Sequence, residues 1–501
     1  MTATVREHDA AAWAERARAL DPVTRAWIDG RPVDAASGAT RPSINPATGD
    51  VVADVAECGP ADVDRAVVAA RRAFEAGTWS RLHPRERTAT LVRLSELVLE
   101  HLDELALLDS VDAGKRIVDT TEIDVPGSAA ILRWYAEALD KVYGEVAPTG
   151  PEDLAVVTRE PLGVVAAVVP WNYPLEMAVW KVAPALAAGN SVVLKPAEES
   201  PLSALRLGEL ASQAGLPDGV LNIVPGDGPV VGQALGRHAD VDVVTFTGST
   251  AVGKLFQAYA GESNMKQVWL ECGGKSAVVV LDDVTDLDAV ADAVCAGIFA
   301  NSGQVCSATS RLVVERPVAD ALVERVVARA RAVVVGDPLD PATQMGPLVS
   351  RAQSDRVRSL MESGAGEAGA AHGGGLLDGA PTTCFVRPQV LADVSPSAGI
   401  AQEEVFGPVL SVHVVDSEQE AVSVANATPY ALAAGLWTDS LSRAHRVSRQ
   451  LRAGTVSVNC VDALDVATPF GGFGQSGYGR DLSLHALDKF TGLKTTWFHH
   501  G

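Results

Sequence analysis

The sequence lacks any apolar run approaching the roughly 20 residues that a membrane-spanning helix requires. It also lacks the continuous apolar stretch of a secretory signal. Residues 1–20 are Ala- and Arg-rich and helical in pattern, but Glu7, Asp9 and Glu15 interrupt the positive charge that a transit peptide maintains. Cysteine is sparse. The six residues, at 58, 272, 295, 306, 384 and 460, form no Cys-x-x-Cys pair and sit at no metal-ligand spacing with the ten histidines. No metal centre is expected, and free thiols in a reducing compartment make the cytoplasm the expected location. Positive charge is in deficit too. Lys and Arg number 41 against 63 Asp and Glu, for a formal net charge of −22. Such a surface repels phosphate and argues against nucleic acid or an anionic membrane as partner. It leans instead toward neutral or cationic small substrates.

With 501 residues the chain is too long for one hydrophobic core, so two or three domains are expected. Trp27-Ile28-Asp29-Gly30 signals a hairpin, and Asn45-Pro46-Ala47-Thr48-Gly49 a tight turn entering a strand. From 61 to 108 the period becomes helical, with Asp62 as N-cap and a break at His83-Pro84. Residues 120–138 continue in helix, with Trp134-Tyr135 on a buried face. The short, Pro- and Gly-punctuated stretch 143–159 reads as a strand hairpin, favoured as an arm that pairs with another subunit over a plain surface hairpin.

Beyond Pro161, strands over 163–170, 191–196, 220–224 and 241–246 alternate with helices over 175–188, 204–214, 230–236 and from 251. This is the pattern of right-handed βαβ units around a parallel sheet. A second series spans 275–470, with strands over 276–281, 310–314, 409–414, 432–437 and 454–458. The Gly- and Ala-rich stretch 364–379 within it is expected to be a mobile surface loop. The tail 489–498 is strand-like, has no evident place in either sheet and suits pairing between subunits. The fold class is α/β.

One cysteine stands apart. Cys306 follows an amphipathic helix over 289–299 and sits in Asn301-Ser302-Gly303-Gln304-Val305-Cys306-Ser307, among small and polar neighbours. A packing cysteine is normally walled in by Leu, Ile or Val, whereas this one can be approached. Four motifs fall at strand ends, where open parallel sheets bind ligands. In Pro170-Trp171-Asn172-Tyr173-Pro174, Asn172 is placed to donate an N–H as an oxyanion donor would, or simply to cap a turn. Lys195 and Glu198 suit the vicinal hydroxyls of a ribose, and the carboxylate favours NAD over NADP; a surface ion pair is the plainer alternative. Phe246-Thr247-Gly248-Ser249-Thr250 opens a helix and offers N–H groups to a phosphate, with Gly226 and Gly228 at the previous strand end. Glu271, between Val268-Trp269-Leu270 and Gly273-Gly274, should be partly buried, which raises its pKa and suits a general base.

These motifs, with Gly303-Gln304-x-Cys306, Glu403-Glu404-x-Phe406-Gly407-Pro408, Pro469-Phe470-Gly471-Gly472 and Ser476-Gly477-x-Gly479-Arg480, resemble in residues and order those of the NAD(P)-dependent aldehyde dehydrogenase superfamily over nearly the whole chain. The resemblance implies two Rossmann-type domains and a small β oligomerisation arm, with 1–140 and 160–270 binding NAD, 271–480 catalytic, and 141–159 with 481–501 forming the arm of a homodimer or homotetramer. It implies that Cys306 attacks the aldehyde, that Asn172 and the Cys306 N–H hold the oxyanion, and that Glu271 activates the water that hydrolyses the thioacyl-enzyme. Cofactor contacts are implied for Val169, Pro170, Trp171, Lys195, Glu198, Gly228, Phe246, Thr247, Gly248, Ser249, Val252, Gly273, Glu404 and Phe406. The substrate pocket is implied to comprise Tyr173, Met177, Trp180, Val305, Ser307, Leu464 and Phe470.

Cys272 stands where the family commonly has Leu, and a second thiol there would make the site oxidation-sensitive. The stretch from Gln475 to Thr491 is similar to the branch acting on γ-glutamyl-aminobutyraldehyde and related aminoaldehydes of putrescine breakdown, and Glu176, Asp462 and Asp465 would suit an amine. Betaine aldehyde or general aliphatic and aromatic aldehydes are the alternatives. A CoA-acylating enzyme is disfavoured by Glu271, and a silent structural protein by the joint presence of Cys306, Glu271 and Asn172.

Overall fold

A computed structural model of the chain describes residues 8–501; Glu7 and the rest of the N-terminal stretch before His8 lie outside the described residues. From there Asp9 caps the helix Ala10–Arg18 by accepting from the Ala12 N–H at 2.9 Å.

An eight-stranded sheet holds the first α/β series. Its five parallel strands lie in the order Leu221–Ile223, Ser191–Lys195, Val164–Val168, Val243–Gly248, Gln267–Cys272. The chain thus starts in the middle, builds outward to one side, then returns to build the other. The reversal lies between Val164–Val168 and Val243–Gly248, and a ligand crevice is expected beyond their carboxyl ends. The strands read as unbroken apolar runs because helices cover both faces. Val165 and Ala167 pack with the helices Pro174–Ala187 and Leu202–Gln213, while Val164, Ala166 and Val168 pack with Pro60–Ala76 and Thr250–Glu262. The predicted Asp29-Gly30 hairpin joins Ala26–Ile28 to Arg31–Val33 at one sheet edge. Asp62 is not the N-cap: Gly59 is, and the Asp62 carboxylate reaches back to the Gly59 and Ala36 N–H groups at 2.9 Å.

The second series forms a seven-stranded sheet centred on Arg311–Glu315, with Val409–Val415 and Ala277–Val280 on either side. Gly477–Tyr478, which follows this series in sequence, instead adds an antiparallel edge to the first sheet beside Gln267–Cys272. Glu271 also belongs to the first sheet, and the site is therefore shared between both. The stretch 364–379 is not a plain loop. The helix Arg351–Glu367 runs into it, and Ala370–Gly373 pairs antiparallel with Gln389–Ala392. Its Gly364 is buried against Ile400 and Leu391, so glycine there serves close packing and not looseness.

A three-stranded antiparallel sheet joins Thr491–His499, Asp153–Pro161 and Glu145–Ala147. The tail therefore has a home within its own chain, in register from Thr491 opposite Pro161 to His499 opposite Asp153. Among the described residues no helix is long and apolar enough to cross a membrane.

Candidate active site

Beyond the reversal point lies a cavity of about 680 Å³, lined from the first sheet by Pro170 to Tyr173, Thr247 to Ser249 and Glu271 to Gly273, and from the second series by Val305 to Ser307, Glu404 and Phe406. Cys306 reaches it through a sharply coiled turn. After the helix Leu287–Phe299, Asn301, Ser302 and Gly303 all take left-handed backbone, with φ of 46°, 57° and 74°. Two of the three bear side chains, and such strain persists only where surrounding contacts hold it. The Ser302 hydroxyl donates to the Gly346 carbonyl at 2.8 Å, and the buried Gln304 amide accepts from the Val349 N–H at 3.0 Å. Gly303 is required outright, since a Cβ there would lie 2.2 Å from the Gly407 carbonyl oxygen.

Asn172 meets this turn directly. Its Nδ2 donates to the Gln304 carbonyl at 2.9 Å, and its own carbonyl accepts from Lys115 Nζ at 3.1 Å and Asn301 Nδ2 at 2.9 Å. One amide N–H is engaged and the second remains for a ligand. Glu271 is 5% exposed, and neither carboxylate oxygen has a protein hydrogen-bond partner. Burial raises its pKa well above the usual range and Asp481 adds to this, while Lys181, Lys489 and Arg480 oppose it. A Cβ on Gly471 would stand 2.5 Å from Glu271 Oε1, so glycine makes room for the carboxylate. Burial, then Glu271, Asp462 and Glu404, pushes the Cys306 thiol far above its ordinary value, against the Ser307 N–H. Burial thus works against the charged form of both groups.

Of the predicted cofactor residues, Pro170, Trp171, Thr247, Gly248, Ser249, Gly273, Glu404 and Phe406 line this cavity. Trp171 and Phe406 meet edge to face at 5.2 Å. Glu404 Oε1 accepts the Gly274 N–H at 3.0 Å, and burial lifts its pKa to about 7 against that bond, Lys275 and Arg356. Lys195, Glu198 and Gly228 lie outside the cavity but together at neighbouring strand ends. Lys195 Nζ stands 3.0 Å from Glu198 Oε2, and the Gly228 N–H donates to Glu198 Oε1 at 3.3 Å. Burial would raise Glu198, yet Lys195 and these N–H groups hold it below its ordinary value. Val169, Phe246 and Val252 do not line the cavity. Val169 is buried and bonds the Lys195 carbonyl, Phe246 packs under Gly248 against Phe256, and Val252 lies exposed on the first turn of Thr250–Glu262.

A dinucleotide fits these groups. Ser249 caps a helix with no acidic residue in its first turn, so the positive end of the helix dipole is free for a phosphate. Lys195 with Glu198, and separately Glu404, present the polar pairs that ribose hydroxyls take.

All seven predicted substrate residues line the cavity, and Trp180 meets Phe470 edge to face at 5.4 Å. Glu176 and Asp462 line it as well, whereas Asp465 does not, being turned into a local cap for the Ala467 N–H. Glu176 Oε1 accepts from Trp180 Nε1 at 3.3 Å, and burial with Asp124 pushes its pKa up to about 8. Cys272 is 3% exposed, with its thiol pushed up to about 12 by burial, then Glu271 and Glu404. Cys272 lines the cavity, and burial disfavours its thiolate as it does that of Cys306.

Sequence reading missed Ile123, Gln353, Arg356 and Asp481 as lining residues. Gln353 and Arg356 belong to an ordinary amphipathic helix, and only the fold shows them holding the 404–406 backbone through Phe406, Val405 and Glu404 carbonyls.

The doubly wound sheet, the cleft at its reversal point and the thiol–amide–carboxylate set at the end of that cleft define a class of enzyme that works on a substrate carbonyl beside a bound dinucleotide. The family model described as "Aldehyde dehydrogenase family" matches residues 33–496. An aminoacetaldehyde dehydrogenase of Pseudomonas aeruginosa is 52% identical over 97% of each chain. The structure of a gamma-glutamyl-gamma-aminobutyraldehyde dehydrogenase from Burkholderia cenocepacia is 54% identical, with a TM-score of 0.97 over 99% of this chain and 100% of that one. An indole-3-acetaldehyde dehydrogenase from P. syringae, in complex with NAD+ and IAA, is 50% identical, with a TM-score of 0.97 over 98% and 100%. The chain belongs to the aldehyde dehydrogenase family and is an oxidoreductase acting on the aldehyde group of its donors.

Proposed function

We propose that this enzyme oxidises an ω-amino or γ-glutamylamino aldehyde to the carboxylic acid with NAD. The observation that carries the reading is a single cavity in which Cys306, Asn172 and Glu271 share an aromatic wall with two carboxylates, Glu176 and Asp462. The Cys306 sulfur bonds to the aldehyde carbon as its proton passes to solvent water and the C=O electron pair moves onto oxygen. The oxyanion so formed is held by the free Asn172 N–H and the Cys306 backbone N–H. A nicotinamide nucleotide bound along Lys195, Glu198, Ser249 and Glu404 supplies the hydride acceptor. The carbonyl then reforms as a thioacyl-enzyme on Cys306. Glu271, made basic by burial, takes a proton from the water that attacks this thioester, and the thiol leaves with the acid released.

In this reading 1–140 with 160–270 forms the cofactor domain and 271–480 the catalytic domain; the strand Gln267–Cys272, which crosses that boundary, stays in the first sheet and brings Glu271 to the cysteine of the second. The three-stranded sheet supports assembly into a homodimer or homotetramer: Val146, Leu493, Trp497 and Phe498 are all exposed on it. The absence of paired cysteines supports a cytoplasmic setting.

The test is NADH formation from γ-glutamyl-aminobutyraldehyde, 4-aminobutanal, betaine aldehyde, an arylacetaldehyde and a plain alkanal, with NADP as a parallel arm and Cys306→Ala as control. Preference for the nitrogen-bearing aldehydes, lost in Cys306→Ala, is expected. Preference for the arylacetaldehyde would turn the reading to the Trp180–Phe470 wall as the specificity element. Activity retained in Cys306→Ala would end the mechanism.

A further inference from the structure

Beneath Glu271 lies a group of buried charges that the mechanism above does not use. Asp481 is 0% exposed and is pinned through its backbone, which exchanges both hydrogen bonds with Phe470 at 2.8 and 2.7 Å. Its two carboxylate oxygens are taken by two different lysines, Lys181 Nζ on Oδ2 and Lys489 Nζ on Oδ1. Both lysines are essentially excluded from solvent, at 1% and 2% exposure. Lys181 comes from the helix Pro174–Ala187, and Lys489 ends the turn Leu484–Lys489 next to Phe490, whose ring centroid is 5.3 Å from Nζ. Asp481 lines the catalytic cavity, and the titratable groups facing Glu271 are Asp481, Lys181, Lys489, Arg480, Cys306 and Cys272.

Charge counting gives this arrangement a purpose. Lys181 and Asp481 alone make a neutral pair, which leaves only the half-buried Arg480, itself bonded to the Gly472 and Gly479 carbonyls, to offset an ionised, buried Glu271 with no hydrogen-bond partner. The second lysine leaves the Lys–Asp–Lys group with one net positive charge. Lys181, Lys489, Asp481 and Glu271 then sum to zero only when Glu271 is a carboxylate. We propose that Lys489 is a positioning residue for the general base: its ammonium, seated on Asp481 opposite Lys181, allows Glu271 to ionise inside a cavity that otherwise favours the neutral acid. The proposal rests on Glu271 being the base that deacylates Cys306. Burial raises Glu271 and draws Lys489 down to about 8, and each opposes the other's shift.

The experiment follows deacylation alone, without nicotinamide. A pulse of p-nitrophenyl acetate acetylates Cys306, and intact-mass spectrometry follows loss of the acetyl group across a pH series. In Lys489→Met the acid limb of the rate profile is expected to move up by on the order of one pH unit, a roughly tenfold slower release at neutral pH, with the alkaline plateau kept. Lys489→Arg should hold the parental curve. Lys489→Gln, which keeps a hydrogen bond to Asp481 without the charge, should move as Met does and carries the test should Met fail to fold. Curves for Met or Gln that superimpose on the parent, or that fall uniformly at every pH, overturn the proposal. Glu271→Gln separates the two layers. If its acetyl-enzyme decays at the parental rate, the base assignment itself fails. If its acetyl-enzyme persists while the Lys489 curves do not move, only the role of Lys489 fails.

Discussion

In the proposed reaction Glu176, which lines the cavity, is the carboxylate that receives the substrate amine. Its carboxyl lies against the Trp180 indole N–H, and its pKa of about 8 leaves it neutral at the lower end of the working range. An alkylammonium group stays protonated to about pH 10. Preference for a cationic aminoaldehyde over an alkanal of equal length should therefore grow as pH rises through about 8, where Glu176 ionises. In Glu176→Gln the preference should fall by on the order of tenfold and lose its pH dependence, as read from kcat/KM ratios for 4-aminobutanal and pentanal. A ratio unchanged by the substitution would assign amine recognition to Asp462 or dismiss it. At this scale the sequence was informative for residues whose role is local. Cys306 among small neighbours, Glu271 before Gly273-Gly274 and Asn172 after a strand all reach one cavity. It was uninformative for residues whose role is a distant partner. Nothing near Lys115 announces that its ammonium, 3.2 Å from Asp124, also holds the Asn172 carbonyl and stands 3.5 Å over the Tyr173 ring.

At the scale of elements, the turn that carries Cys306 is the most constrained piece of backbone in the site. Gly303→Ala places a Cβ against the Gly407 carbonyl and a side chain on left-handed backbone. A loss on the order of 1–3 kcal/mol is expected, or a shifted turn. A thermal melt together with the iodoacetamide alkylation rate of Cys306 distinguishes normal from displaced geometry. Parental values in both would show that the turn tolerates what the geometry forbids. Strands such as Val164–Val168 were legible because burial on both faces leaves an unbroken apolar run that only a sheet interior explains. The stretch 364–379 was not, because its glycines serve packing as well as turning: Gly364 lies under Ile400 on the helix Arg351–Glu367. The tail Thr491–His499 reads as a strand in sequence, but which strand it joins depends on a register with 153–161 that no local pattern specifies.

At the scale of the whole molecule, burial of acids is the recurring device. Asp109 and Asp112, buried on the helix Leu102–Ala113, have pKa values of about 7 and about 8, each raised first by burial. A carboxyl raised in the folded state favours folding below its unfolded value and loses that contribution as pH climbs to the folded one. For Asp112 the window runs from 3.8 to about 8. Asp112→Asn retains an acceptor for the Leu202 N–H and cannot ionise. Its melting temperature relative to the parent should therefore rise across that window, by on the order of a few degrees. A difference independent of pH, measured by scanning calorimetry on the cofactor-free protein, would contradict the assignment. Glu271, Asp481 and its two lysines gather at the first sheet, while Cys306 arrives from the second series.

In the proposed reaction Cys306 carries the acyl group and Glu271 releases it. Intact-mass and peptide spectrometry of Glu271→Gln, after exposure to NAD+ and γ-glutamyl-aminobutyraldehyde, tests it most directly. One equivalent of NADH and a stable acyl adduct on the peptide bearing Cys306 are expected. Continued turnover with no adduct, or an adduct on Cys272 or Cys460, would contradict it.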